Sequence, residues 1–282
     1  LVFNRPETTG AVISSLRAVR PSALYVAADG PRPGIEGEAM RCAEARRIAT
    51  SVDWECEVRT LFRDRNLGCA LAVSSAVTWF FDNVTEGIIL EDDCVPSRSF
   101  YRFCQELLEH YRENARVMHL AGNSYQYGRR RGSASYYFSR YPGIWGWASW
   151  RRAWQHYDFS LRPSWELQDT WDTQWQLSIQ RSNGLAIAPN VNMVRNIGFG
   201  PGATHTKGGE RPALLEADEV PFPLTHPAGL TANRAADTFS YYAHFRMVRF
   251  LNFIWIYRLI DLLYFRLKAF KGMMLGTKRD GR

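Results

Sequence analysis

The stretch that decides the fold is residues 87–93, GIILEDD, a short apolar run that ends in three adjacent carboxylates. The apolar run predicts a short buried strand with the acidic triplet at its carboxyl end. Three neighbouring carboxylates repel one another, and burial makes this repulsion costly. A hard divalent cation bridging to phosphate oxygens would relieve the cost. We therefore predict a metal and phosphate site at 91–93, with a polar loop and a helix cap at Ser97 as the alternative.

Strands and helices alternate around this stretch. The apolar runs predict strands at 23–27, 57–62, 87–90 and 117–121. Apolar residues at helical spacing predict helices at 7–19, 37–50, 69–81 and 100–111. This alternation predicts an α/β fold with a mostly parallel sheet flanked by helices. Ligands bind beyond the carboxyl ends of such strands, so Asp29 and the triplet are expected on the same edge of the sheet.

The positive charge is confined to the C-terminal part of the chain. The chain has 282 residues and a net charge of +7. Residues 239–282 hold nine Lys or Arg and two Asp or Glu, whereas residues 1–238 hold 26 of each kind. The neutral body argues against binding to nucleic acid. The basic, Leu-rich and aromatic tail predicts a helix that lies on an anionic membrane surface, and a helix docked on the body or in a dimer is the alternative.

The cysteines and the lengths of the apolar runs indicate where in the cell the protein is expected. Five cysteines without a CxxC motif favour reduced thiols, as in the cytoplasm. No apolar run is long enough for a transmembrane helix. We therefore expect a cytoplasmic protein bound peripherally to the inner face of the membrane. Residues 1–3 have the pattern of a strand end, so we expect a trimmed first strand.

Several short motifs follow one another in a characteristic order. They are FNRP at 3–6, ADG at 28–30, RNLG at 65–68, ILEDDCVPS at 89–97, YPGIWGW at 141–147, WDTQW at 171–175, and the segment 196–205. In this order they resemble the GT-A glycosyltransferases, and more narrowly N-acetylglucosaminyltransferase I and its bacterial relatives. The similarity covers about residues 1–207. It implies a GT-A fold and transfer of a sugar from a nucleotide donor.

The resemblance implies donor-binding roles for four residues. Arg5 would lie against the nucleotide or the diphosphate, and Asp29 would contact the uracil of a UDP-sugar. Glu91 and Asp92 would contact the ribose or the sugar of the donor. The donor is therefore expected to be a UDP-sugar held at the edge of the sheet.

The resemblance also implies a metal ligand and a catalytic base. Asp93 would bind Mn or Mg, and His205, in a Gly-rich loop, is a further candidate ligand. Asp172 would be the base that deprotonates the acceptor hydroxyl, which implies an inverting reaction. Asp158 and Asp169 are the competing candidates for the base.

These expectations divide the chain into three parts. Residues 1–121 form the nucleotide-sugar half, the less regular residues 122–238 form the acceptor-side and catalytic half of the same domain, and 239–282 form the tail. The acceptor is expected to be a glycan or a lipid-linked precursor, as in surface polysaccharide synthesis. One alternative is a sugar-1-phosphate nucleotidyltransferase, although the first strand is followed by NRP rather than a Gly-rich loop. The other is a catalytically inactive, membrane-docked glycan-binding module.

Overall fold

The computed structural model describes residues 1–161, 170–199 and 215–245, and it has a mixed α/β architecture. The first half contains α1 (Pro6–Arg17), β1 (Ala23–Ala28), α2 (Glu38–Thr50), β2 (Glu57–Phe62), α3 (Cys69–Asn83), β3 (Glu86–Ile89), β4 (Cys94–Pro96), α4 (Arg98–His110) and β5 (Val117–Ala121). The second half contains β6 (Tyr136–Ser139), β7 (Trp147–Trp150), α5 (Arg151–Trp154), α6 (Asp172–Arg181), β8 (Leu185–Pro189), β9 (Val194–Asn196), α7 (Arg234–Ser240) and a π-helical turn (Tyr241–Phe245). The predicted α/β class is confirmed.

The strands form one mixed five-stranded sheet and two separate pairs. The five-stranded sheet has the order β3-β7-β5-β8-β6. Only β5 and β8 pair in parallel within it, and the other neighbours are antiparallel. The pair β1–β2 is parallel and the pair β4–β9 is antiparallel. The expectation of a mostly parallel sheet is therefore wrong for the five-stranded sheet, because β7 lies antiparallel between β3 and β5, which run in the same direction.

The first three residues of the chain lie between β1 and β3. Val2 forms a parallel bridge with Ala28, and its N–H donates to the carbonyl of Ala27 at 2.9 Å. On the other side, the nitrogen of Leu1 donates to the carbonyl of Leu90 at 2.8 Å. The carboxyl ends of β1, of this segment and of β3 consequently lie at one edge, as the sequence predicts for Asp29 and the triplet.

Helix α4 contributes a buried apolar face to the core. Its predicted apolar positions are all buried, namely Phe100, Phe103, Cys104, Leu107, Leu108 and the following Tyr111. They pack in one cluster with residues of β5, β6, β7 and β8. Helix α1 is shorter than predicted and ends at Arg17, so Val19 lies beyond the helix and is 37% exposed.

The second half of the chain is more regular than its sequence indicates. It supplies β6, β7 and β8, which are three of the five strands in the main sheet. It also supplies a cluster of aromatic rings in contact, formed by Trp147, Trp154, Tyr157, Trp171 and Trp175. This half is therefore part of the main sheet itself.

The chain divides into two compact units, Leu1–Asp237 and Thr238–Arg282. Within the described ranges, strands β1 to β9 and helices α1 to α6 belong to the first unit. The described residues of the second unit are 238–245. Among the helices in the described ranges, none combines the length and the apolar character needed to cross a membrane.

Candidate functional site

Arg5 joins two carboxylates of the acidic triplet. It directly precedes α1; its Nη2 donates to Asp92 Oδ1, and its Nη1 lies 2.9 Å from Asp93 Oδ2. Asp92 also accepts a hydrogen bond from the N–H of Phe3 at 3.3 Å. Burial opposes the charge on Arg5, but the two carboxylates outweigh it and raise the pKa of Arg5. Burial also raises the pKa of Asp92, and Arg5 limits that rise.

Glu91, the first residue of the triplet, lies in surroundings that favour its protonated, neutral form. Burial, followed by the charges of Asp93 and Asp92, raises the pKa of Glu91 to about 8. Asp172 contributes to the same rise, so the first residue of α6 lies within electrostatic range of the triplet. At neutral pH Glu91 is mostly protonated and has a proton to donate. The triplet is therefore less negative than its sequence suggests, because Arg5 compensates one charge and Glu91 is largely neutral.

Gly198 lies directly against the Arg5–Asp93 ion pair. A Cβ atom at position 198 would overlap Oδ2 of Asp93 and lie 2.7 Å from Nη1 of Arg5. The neighbouring Ile197 donates its N–H to the carbonyl of Asp93 at 2.8 Å, and Asn196 belongs to β9, which pairs with β4 directly after the triplet. The absence of a side chain at Gly198 thus allows the β9 segment to close over the acidic pair.

Asp93 provides one oxygen that suits a hard cation. Its Oδ2 is paired with Arg5, whereas its Oδ1 accepts only the weak donor Cys94 Sγ–H, at 3.4 Å, among the described contacts. Within the described ranges, no three His, Cys, Asp or Glu side chains form a group that could hold a metal ion. The donor chemistry therefore fits one protein ligand, and the others would come from a bound diphosphate and water. The second predicted ligand, His205, lies outside the described residues.

Asp29 holds the loop that precedes α3. Its carboxylate accepts hydrogen bonds from the N–H groups of Leu67 at 2.9 Å and Gly68 at 3.1 Å, and from the side-chain amide of Asn66 at 2.9 Å. It also accepts the N–H of Gly30 at 2.8 Å. Both carboxylate oxygens are thus used within the protein. The contact of Asp29 with a uracil stays a prediction.

Glu38 is a buried carboxylate that the sequence analysis missed. Its side chain is fully buried and accepts hydrogen bonds from Asn4 Nδ2 at 2.8 Å, Arg32 N at 2.6 Å and Arg32 Nε at 3.0 Å. The Arg32 side chain is the main cause that lowers the pKa of Glu38 to about 2, against the effect of burial. Because Asn4 precedes Arg5, this network fixes the chain where Arg5 reaches the acidic pair. A Glu in the first turn of a helix is common, so the sequence contains no special signal for it.

The structure separates the candidates for a catalytic base. Asp172 is half-buried at the start of α6 and follows Trp171, which stacks on Trp147 with ring centroids 5.5 Å apart. Asp158 is instead bound to Arg181, with Nη1 and Oδ2 3.1 Å apart. Asp169 lies outside the described residues. Of the described candidates, Asp172 is the one whose charge acts on the triplet.

Three aromatic side chains contact one another near Gly198. Trp145 makes edge contacts with Tyr125 and Phe199, with ring centroids 5.7 Å and 5.6 Å apart. Burial is the main cause of the raised pKa of Tyr125, and the charge of Asp172 contributes to it. The aromatic group is therefore close to the start of α6. Trp145 and Phe199 are half-buried and present ring surface next to the candidate site.

No protein-family model matches the chain, and a comparison with curated proteins finds no match either. The fold and the site define an α/β protein with an Arg5–Asp92–Asp93 cluster at one edge of its strands. Any assignment of activity therefore rests on the motifs and on the contacts described above.

Proposed function

We propose that this protein is a metal-dependent, inverting glycosyltransferase of the GT-A type. It transfers a sugar from a nucleotide donor, a UDP-sugar, to a glycan or lipid-linked acceptor. The observation that carries the proposal is the convergence of Arg5, the acidic pair Asp92–Asp93 and Asp172 at one edge of the strands. A cation, a metal-binding oxygen and a free carboxylate are the groups that this reaction needs in one place.

The donor would bind where Arg5 meets α1. Arg5 directly precedes the first turn of this helix, and helix N-termini attract phosphate groups. A divalent ion on Asp93, Mn or Mg, would neutralise charge on the leaving diphosphate. Glu91, protonated at neutral pH, would donate a hydrogen bond to a hydroxyl of the ribose or of the sugar. Arg5 would contribute positive charge to the same diphosphate.

Asp172 would act on the acceptor. The acceptor oxygen forms a bond to the anomeric carbon while the bond from that carbon to the diphosphate oxygen breaks, and the hydroxyl proton passes to Asp172. A single displacement of this kind inverts the anomeric configuration. Trp145 and Phe199 would offer apolar ring faces to a sugar ring, a common use of aromatic side chains.

Nucleotide binding is the first test. Thermal unfolding is followed with Mn²⁺ and UDP, UDP-glucose, UDP-galactose or UDP-N-acetylglucosamine, for the wild type and for Asp93→Asn. At a ligand concentration of about 100 Kd we expect stabilisation by about 2.7 kcal/mol in the wild type and a much smaller effect in Asp93→Asn. Asp82→Asn, an exposed carboxylate on α3, is the control and should behave like the wild type. The absence of any nucleotide-induced shift would contradict the proposal and favour the inactive glycan-binding module.

Catalysis is tested separately from binding. Asp172→Asn should keep the nucleotide-induced shift and lose sugar transfer by about 100-fold or more, because only the base is removed. Asp158→Asn, which alters a surface ion pair, should retain activity. Equal losses in both variants would argue against Asp172 as the base. Release of pyrophosphate from UTP and a sugar-1-phosphate would instead identify a nucleotidyltransferase.

We also propose that residues 239–282 bind the inner face of the membrane and bring the enzyme to a lipid-linked acceptor. Residues 246–282 lie outside the described residues. The support for this proposal is the net charge of +7 that the tail carries while the remaining chain is neutral.

A further inference from the structure

The Asp29 carboxylate is fully engaged within the protein. Its Oδ1 accepts the N–H of Gly30 at 2.8 Å and the N–H of Leu67 at 2.9 Å. Its Oδ2 accepts the N–H of Gly68 at 3.1 Å and the side-chain amide of Asn66 at 2.9 Å. A carboxylate has about four lone-pair sites, so these donors fill it. Asp29 therefore joins the end of β1 to the loop that leads into α3, and a bound base would meet a different group.

The side-chain amide of Asn66 has a fixed orientation. Its Nδ2 donates to Asp29 Oδ2 at 2.9 Å and to the carbonyl of Gly30 at 2.8 Å. Rotation of the amide by half a turn would place its oxygen against these two acceptors, so the oxygen must occupy the other position. Among the contacts of the described residues, Asn66 Oδ1 accepts no hydrogen bond, and the residue is half-buried. Asn66 Oδ1 is therefore a rigid acceptor that a ligand can reach.

This acceptor lies on the same edge of the strands as the acidic triplet. Asp29 directly follows β1, and the triplet begins two residues after β3 ends. One extended segment separates them, since Val2 bridges to Ala28. On its other side, the nitrogen of Leu1 donates to the carbonyl of Leu90 at 2.8 Å. Neighbouring strands are about 4.8 Å apart, so two spacings place Asp29 roughly 10 Å from the triplet. The ribose of a nucleotide separates its base from its diphosphate by a similar span.

We propose that Asn66 Oδ1 accepts the N3–H of the base and is the group by which this protein selects uracil. The inference rests on the proposed glycosyltransferase function and deepens it: Asn66 contacts the base, and Asp29 positions Asn66. Uracil carries a hydrogen on N3, whereas N3 of cytosine is an acceptor. A fixed oxygen therefore gains a hydrogen bond from uracil, but with cytosine two acceptors face each other.

The selectivity follows from the fixed orientation of the amide. An Asn side chain that rotates freely offers its oxygen to uracil or its NH₂ group to cytosine, and so accepts both. Here rotation would break two hydrogen bonds and set Oδ1 against the Asp29 carboxylate. The close approach of the two segments also depends on Gly30, because a Cβ atom there would overlap the backbone of Arg65.

The test measures the affinities for UDP and CDP by isothermal titration calorimetry in the presence of Mn²⁺. We expect the wild type to bind UDP about 10-fold or more tightly than CDP. N3-methyl-UDP, which lacks the N3–H, should bind the wild type more weakly than UDP by a similar factor. Asn66→Ala should bind UDP and CDP within about 2-fold of each other. The control is Asn83→Ala, at the exposed last residue of α3, which should keep the wild-type preference.

Equal affinity of the wild type for UDP and CDP would overturn the inference. A preference for UDP that persists in Asn66→Ala would also overturn it, because another group would then read the base. The three nucleotides are compared on the unaltered protein, so the result does not depend on how well Asn66→Ala folds. Failure of every nucleotide to bind would contradict the glycosyltransferase proposal as well. Binding without a base preference would contradict the role of Asn66 alone.

Discussion

Two neighbouring residues near the start of the chain, Asn4 and Arg5, bind two different buried carboxylates. Asn4 donates to Glu38 at 2.8 Å, and Arg5 pairs with Asp92 and Asp93. Each network satisfies charged groups that would be costly to bury alone. Because the two donors are adjacent in the chain, displacement of Asn4 should also displace Arg5. Glu38 is therefore a positioning residue for the proposed donor site.

Replacement of Glu38 by Gln should destabilise the protein at neutral pH. In the folded protein the pKa of Glu38 is about 2, below its ordinary value of 4.5. The contribution of Glu38 to the free energy of unfolding is therefore complete above pH 4.5 and is lost as the pH falls toward 2. We expect Glu38→Gln to lower the free energy of unfolding by about 2 kcal/mol at pH 7, as measured by urea denaturation. Glu44→Gln removes an exposed pair with Arg47 and should change the free energy of unfolding far less. Equal effects of the two substitutions would refute this role.

His119 should make stability depend on pH between 4 and 6.5. It is fully buried, its Nδ1 accepts from Trp175 Nε1 at 3.1 Å, and its Nε2 donates to the carbonyl of Gly143 at 2.8 Å. Burial lowers the pKa of His119 from 6.5 to about 4. The unfolded chain therefore takes up a proton first as the pH falls, and stability is lost from pH 6.5 toward pH 4.

The corresponding variant is His119→Asn. In the wild type, His119 should add a slope approaching about 1.4 kcal/mol per pH unit to the free energy of unfolding within this window. Denaturation curves between pH 4.5 and 7 should show a shallower slope in His119→Asn. Exposed His156 is the control, and His156→Asn should keep the wild-type slope. A wild-type slope in His119→Asn would mean that another group causes the dependence.

At the scale of elements, helices and isolated strands were more predictable than strand partners. The bounds of β2 and β5 agree with the predicted ranges, and the apolar spacing in α4 identified its buried face. Strand β8, Leu185–Pro189, was not predicted. It is buried at every position, as β5 is, but it contains two Ala and a Pro, which are depleted in strands. The antiparallel insertion of β7 depends on contacts between distant residues, which local patterns do not encode.

The cap of α4 is another long-range feature. The sequence suggested Ser97, but the Ser97 side chain makes no capping hydrogen bond. The carboxylate of Glu219 instead accepts the N–H groups of Arg98 at 3.1 Å and Ser99 at 2.7 Å. The Glu219 carboxylate thus accepts from backbone N–H groups of the first turn that have no partner within the helix, and its negative charge is favourable at a helix N-terminus.

Removal of this cap should weaken the fold measurably. We expect Glu219→Ala to lower the free energy of unfolding by about 1 kcal/mol, measured by urea denaturation at pH 7. Glu216→Ala, which removes an exposed pair with Arg195, should cost less than about 0.5 kcal/mol. A larger loss in Ser97→Ala than in Glu219→Ala would show that the cap lies at Ser97 instead.

At the scale of the whole molecule, the contacts of the candidate site join residues that lie far apart in the chain. Arg5 and Asp92 are 87 positions apart in the chain, yet they form an ion pair, which the sequence analysis did not predict. The charge state of the site could not be predicted, because it depends on which carboxylate Arg5 reaches and how deeply Glu91 is buried. The metal stays a proposal, and its support in the structure is the Asp93 oxygen that faces only the weak donor Cys94 among the described contacts.

The charge asymmetry of the chain leads to the last prediction. The full chain should co-sediment with vesicles that contain phosphatidylglycerol and not with pure phosphatidylcholine vesicles. Salt should weaken the binding, because counterions screen the attraction to the anionic surface. Each basic residue near such a surface contributes about 1 kcal/mol, so a quadruple substitution to Gln should weaken binding by about 100-fold or more. The four positions are Arg258, Arg266, Lys268 and Lys271.

The matched control removes the same amount of charge from the body. Its four exposed positions are Arg17, Arg41, Arg47 and Arg59, each changed to Gln. Since residues 1–238 have no net charge, we expect this variant to bind vesicles as the wild type does. Equal losses in the two variants would show that net charge alone drives the association. Unchanged binding in the tail variant would contradict the membrane-docking proposal, and the tail would then more simply serve as a contact within the protein or a dimer.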